Sequence, residues 1–77
     1  MDGLIDIEPA IGHLSVREQE ILEQVAVGQS AKQIARFLSI APRTVERHID
    51  NIRQKLHARN TPHLISRAFL IGALKPA

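Results

Sequence analysis

Seventy-seven residues leave room for one domain, and without a cysteine that domain has neither a disulfide nor a thiolate metal site to brace it. The longest apolar run, residues 68–74, falls far short of the roughly 20 residues that span a bilayer, and the N-terminus lacks the basic start and apolar block of a secretory signal. The formal net charge of +2 hides an asymmetry: residues 1–29 hold six acids against Arg17 alone, whereas residues 30–77 hold nine bases against Glu46 and Asp50. The expectation is a soluble cytoplasmic protein whose basic half has the electrostatic footprint of a polyanion binder. A core this small also gains from a partner chain.

Residues 1–13 read as an N-terminal arm or linker remnant, with Leu4, Ile5 and Ile7 as a short extended piece, and residues 14–77 as the domain. The first helix is predicted over 15–27. Ser15 and Glu18 have the spacing of a capping box, and Leu14 can staple the entry. Ile21, Leu22 and Val25 recur at helical spacing, and Gly28 suits the left-handed position that ends a helix. A second box, Ser30 with Gln33, opens a helix over 31–38 whose apolar side is Ile34, Ala35 and Leu38. At about two turns it is too short to persist alone, because nucleation is costly.

After the turn at 39–41, Pro42 starts a third helix, predicted over 42–57, since its missing N–H costs nothing at the first helical position. Val45, Ile49, Ile52 and Leu56 form its apolar stripe. At about 100° per residue, Arg43, Arg47, Asp50 and Gln54 fall opposite that stripe, with Thr44 and Asn51 on one flank and Glu46 and Arg53 on the other. His48 sits at the rim of the stripe, where packing and a phosphate contact are equal alternatives. Arg reads guanine bidentately and Asn or Gln reads adenine in the major groove. In a helix-turn-helix the start of the second helix does this reading. Thr44 and the free amides beside it suit a phosphate. A fourth helix, predicted over 62–72, begins with Thr61 as cap and Pro62 behind it. With no strand alternation and no internal repeat, the fold class is all-α: a compact four-helix helix-turn-helix domain.

The spaced pattern Leu14-Ser15-x-Arg17-Glu18-x-Glu20-x-Leu22 is followed by Ala26-x-Gly28-x-Ser30-x-Lys32-x-Ile34-Ala35-x-x-Leu38-x-Ile40. Thr44-Val45-x-x-His48, Ile52, Lys55-Leu56, Asn60 and Ala68-x-x-x-Gly72 then come in order. Over most of the chain this resembles the DNA-binding domain of the LuxR/FixJ/GerE family of bacterial transcription regulators. The resemblance implies sequence-specific binding to promoter DNA as a dimer, with the second and third helices as scaffold and recognition helices and the fourth supplying dimer contacts. By position, Lys32, Thr44, His48 and Lys55 match family residues near the DNA backbone or the rim of the recognition helix. Glu46, Arg47 and Asp50 occupy the positions that vary with sequence preference. Many members carry Lys in place of Glu46, although a FixJ-like subset carries Glu, and Ala41 stands where Ser is common. Asp50 is a second acid on the reading face, able to accept from a cytosine amino group but repelled by phosphate.

The site expected from these readings places Glu46, Arg47, Asp50 and Asn51 on base edges with Gln54 at the margin, and Lys32, Arg43, Thr44, His48 and Lys55 on phosphates. The fourth helix is apolar around most of its circumference, more than one side of so small a domain can bury. That surplus points to a homodimer through Leu64, Phe69, Leu70 and Leu74, and a two-fold dimer reads an inverted repeat. The competing account folds the arm over this helix through Leu4, Ile5 and Ile7. The four histidines lack metal-ligand spacing, the serines sit at caps and turns, and Glu18 and Glu20 diverge as solvated or capping groups. No enzyme, cofactor, metal, membrane or small-molecule ligand is therefore expected. Double-stranded promoter DNA is the expected partner, with RNA polymerase as a further one. The alternative function is a protein-interaction module of the same shape that binds another regulator or RNA polymerase. No receiver or ligand-binding domain fits before Leu14, which leaves a stand-alone regulator or a piece of a longer one.

Overall fold

The computed structural model describes residues 14–76. The expected arm at 1–13, with Leu4, Ile5 and Ile7, lies outside the described residues. Four helices follow: α1 Val16–Ala26, α2 Ala31–Leu38, α3 Pro42–Lys55 and α4 Thr61–Leu70. No strand occurs among the described residues, so the all-α helix-turn-helix expectation holds.

Local chemistry explains most of the boundaries. Both capping boxes form: the Ser15 hydroxyl accepts from the Glu18 N–H at 3.0 Å while Glu18 Oε1 accepts from the Ser15 N–H at 2.9 Å. Ser30 and Gln33 repeat the exchange at 3.2 and 2.8 Å. Gly28 takes the left-handed conformation after α1, at φ 93°. Between α2 and α3 the chain turns through Ser39 at φ 58°, while the Ile40 N–H returns to the Ala35 carbonyl at 3.0 Å. Pro42 is the first residue of α3, whose N-cap, Ala41, makes no side-chain cap bond.

Several boundaries differ from expectation, α1 by one residue at each end and α3 and α4 as follows. The third helix ends at Lys55, and His57 lies beyond it in the left-handed region at φ 56°. The fourth begins one residue early because the Asn60 side chain, not Thr61, accepts from the His63 N–H, at 2.9 Å. It also stops at Leu70 rather than 72. There the chain reverses through Gly72 at φ 82°, and the N–H groups of Ala73 and Leu74 both bond the Ala68 carbonyl.

The core joins Ile21 and Leu22 of α1, Ile34 and Ala35 of α2, Val45 and Ile52 of α3 and Leu64 and Ala68 of α4, with Leu56, Ala58, Ala73 and Leu74 from the connecting segments. α3 packs against each of the other three helices. The helix with the expected recognition face is therefore also the element around which the domain is built.

Candidate nucleic-acid interface

The stripe on α3 behaves as its period requires. Val45, Ile52 and Leu56 are fully buried, Ile49 is half-buried, and the opposite face is turned to solvent. Glu46, Arg47, Asp50, Asn51 and Gln54 are all exposed along that face, with Arg43 at its N-terminal end. Thr44 and His48 are half-buried on the flank. From α2, Lys32 and Arg36 are exposed, together with Phe37. The uncapped start of α3 leaves its first amide groups without a side-chain acceptor, an arrangement that favours an anion.

Asp50 is not an isolated acid. Arg53 Nη2 lies 3.5 Å from its Oδ1, one turn away. Asp50 is exposed and Arg53 half-buried at the surface, so the pair contributes little to stability. It does turn the carboxylate toward a cation on its own helix.

Lys55 is placed differently from the other expected phosphate contacts. Its Nζ donates to Glu18 Oε1 at 2.7 Å, across from α1. Glu18 is only 5% exposed, so of the solvated and capping alternatives the capping one holds: it caps α1 and also receives Lys55. Burial raises the Glu18 pKa, but the Lys55 hydrogen bond, the Ser15 N–H, the Lys55 charge and the Ser15 hydroxyl together outweigh it and hold the carboxyl below its ordinary 4.5. No local period carries this pair, because 37 residues separate its members. Arg67 is a residue that the sequence did not single out: its Nε–H donates to the Leu56 carbonyl at the end of α3.

The expected dimer contacts divide. Leu64 is fully buried and Leu74 nearly so within their own protomer, which removes both from an external interface. Leu64 faces the shared core, and the reversal at Gly72 returns Leu74 to it. Phe69 and Leu70 stay outside, 43% and 82% exposed. A groove of about 710 Å³ runs beside Phe69, lined also by Gln19, Glu23 and Ala26 of α1, by Val27 just beyond it and by residues 72–75. None of the exposed polar residues of α3 lines it. Among the described residues no group of three His, Asp or Glu could hold a metal, and no helix is long and apolar enough to cross a membrane.

An exposed polar face on a helix that follows a short capped helix and a tight turn is the geometry of a helix-turn-helix reader. The family model for bacterial regulatory proteins of the luxR family matches residues 12–68, most of the chain. The chain belongs to the luxR family of bacterial regulatory proteins. It is 40% identical over 77 residues, its whole length, to the transcriptional regulatory protein FixJ of Rhizobium meliloti, covering 37% of that protein. It is 38% identical over 71 residues to FixJ of Azorhizobium caulinodans, 92% of this chain and 34% of the relative. Over 63 residues it is 40% identical to the transcriptional regulatory protein DesR of Bacillus subtilis, 82% of this chain and 32% of the relative. The chain thus spans about a third of the length of these relatives. No solved structure matches it. The domain is a DNA-binding helix-turn-helix of transcription regulation.

Proposed function

We infer that the protein binds promoter DNA sequence-specifically, with α3 in the major groove. The observation that carries this reading is the alignment of Glu46, Arg47, Asp50, Asn51 and Gln54 on the one fully exposed face of α3, opposite its buried stripe. Arg47 and Asn51 supply bidentate donors for guanine and adenine edges, and Asp50 and Glu46 accept from cytosine amino groups. Lys32, Arg43, Thr44 and His48 hold phosphates around the start of α3 and so fix its register. Lys55 belongs with Glu18 as a brace rather than with the phosphate contacts.

Fluorescence anisotropy against a duplex selected from a random library, and against random duplex, tests this assignment. Arg47→Ala should weaken the selected duplex by about 1–3 kcal/mol and leave random duplex nearly unchanged. Lys32→Ala should weaken both alike and flatten the salt dependence by about one unit of slope. Equal losses on the two duplexes for Arg47→Ala would remove it from the base-reading set. No binding of random duplex by micromolar protein at low salt would favour the protein-interaction module instead.

The proposed assembly on DNA is a homodimer on an inverted repeat, joined through Phe69 and Leu70. Exposed apolar side chains of this size at the end of one helix support a partner surface. Leu70→Glu should leave the thermal unfolding of the protomer within about 0.5 kcal/mol of wild type, because the side chain is already in solvent. The same change should abolish the dimer seen by sedimentation and weaken binding to a two-half-site duplex far more than to a single half-site. Sedimentation as a strict monomer at high wild-type concentration, with two-site binding unaffected by Leu70→Glu, would eliminate this interface. RNA polymerase is the proposed second protein partner, supported by Phe37, which is exposed near the end of α2.

A further inference from the structure

Several carbonyls at the end of α3 have defined partners. The Leu56 N–H bonds the Ile52 carbonyl at 2.9 Å, the His57 N–H that of Gln54 at 3.2 Å, and the Ala58 N–H that of Arg53 at 2.9 Å. The Leu56 carbonyl, two residues beyond Gln54, takes the Nε–H of Arg67 from α4. One residue earlier, Lys55 reaches Glu18 of α1. Two side-chain ties from two different helices thus meet adjacent residues at one end of α3. The start of α3 has no equivalent among its caps, since Ala41 supplies no side-chain bond.

The consequence is mechanical. Arg47 stands nine residues before Leu56, about 13 Å along the helix. A tilt of about 5° about the anchored end would carry Arg47 sideways by about 1 Å. Bidentate hydrogen bonds to a base edge do not tolerate that displacement, because they weaken steeply with distance and angle. Nonspecific attraction to phosphates tolerates it easily, being long-ranged and undirected. The cation of Arg67 also suits the negative end of the α3 dipole, which gives the tie an electrostatic as well as a directional component.

We propose that Arg67 is a positioning residue for DNA recognition: bound to the Leu56 carbonyl, it sets the pose of α3, and base selectivity depends on it without its touching DNA. This rests on the reading of α3 as the recognition helix. The Glu18–Lys55 pair is the companion tie from α1. Arg67 therefore acts on specificity from the helix that also carries the exposed Phe69 and Leu70.

The experiment compares the full chain with Arg67→Met and with Arg59→Met, which removes the same charge from an exposed site. Folded content is checked by circular dichroism, the orientation of α3 against α1 is read from residual dipolar couplings, and affinities are measured on selected and random duplexes. Arg67→Met should reorient α3 and lower the selected-to-random affinity ratio by about tenfold, within the worth of one bidentate base contact. Random-duplex binding should hold, and Arg59→Met should change neither the orientation nor the ratio. Unchanged couplings in a folded Arg67→Met, an equal loss on both duplexes, or the same fall in ratio for Arg59→Met would each overturn the proposal. Should Arg67→Met fail to fold, the wild-type protein still decides: its Arg67 Nε–H should give a slowly exchanging resonance with a through-hydrogen-bond coupling to the Leu56 carbonyl carbon. A rapidly exchanging, averaged Nε–H signal would overturn it. If no duplex is bound by any variant or by wild type, the DNA reading fails, while the couplings and the Nε–H resonance still decide whether Arg67 sets the pose of α3.

Discussion

Ile52→Ala is expected to destabilise the domain by about 2–5 kcal/mol, the cost of removing a fully buried branched side chain together with the cavity it leaves. Ile52 lies in the middle of the buried face of α3, the helix that touches all the others, so the surrounding elements have little freedom to collapse on the gap. At roughly 0.05–0.15 kcal/mol per residue, a domain of this length has only about 4–12 kcal/mol in total. The substitution therefore removes a large share of it. Each kcal/mol should appear as a fall of about 4–8 °C in Tm, and urea unfolding should show a lower midpoint at similar slope. Asn51→Ala, one position away on the exposed face, should stay within about 0.5 kcal/mol. An Ile52→Ala midpoint indistinguishable from that of Asn51→Ala would mean that α3 is not held as described.

Glu18→Gln should cost about 1–3 kcal/mol at neutral pH, the range for hydrogen bonds to a charged group. One oxygen, Oε1, accepts both the Ser15 N–H at 2.9 Å and Lys55 Nζ at 2.7 Å. The neutral amide keeps the shape and the weaker of these roles but loses the charge. The pH dependence has a definite sign. In the folded protein the Glu18 carboxyl is held below its ordinary 4.5, so the unfolded chain takes up the proton first as pH falls. Its contribution is complete above the unfolded value and disappears as pH drops from about 4.5 through the lowered folded value. Wild type and Glu18→Gln should therefore differ most at pH 7 and converge in acid. Urea titrations at pH 7 and near pH 3 measure this directly, and the difference between the two proteins cancels the other carboxylates. Curves that stay parallel over that range would show that the charge of Glu18 does not stabilise the fold.

What was legible in the chain was whatever a few neighbouring residues decide among themselves. Ser15 with Glu18 and Ser30 with Gln33 each close their bonds within one turn, so the starts of α1 and α2 followed from the spacing. Pro42 and the stripe Val45, Ile49, Ile52 and Leu56 fixed the start and the inward face of α3 in the same way. The exposed set Glu46, Arg47, Asp50, Asn51 and Gln54 then followed as the geometric complement. At α4 the local rule was ambiguous. Asn60 and Thr61 are both competent caps, and the Thr-Pro pair suggested the second, whereas the His63 N–H is taken by Asn60.

The sequence by itself determined four helices, their order, the turn between α2 and α3, and the exposed polar face of α3, because helical periodicity and capping act over three or four residues. Only the tertiary structure decided which apolar residues of α4 are internal. The chain reversal at Gly72 takes Ala73 and Leu74 back into the core and leaves Phe69 and Leu70 outside. It also decided that Lys55 meets Glu18 and that Arg67 meets the Leu56 carbonyl, pairings 37 and 11 residues apart. Such contacts depend on how helices cross rather than on how residues repeat along one of them, and a charge or a carbonyl has no period that could announce its partner.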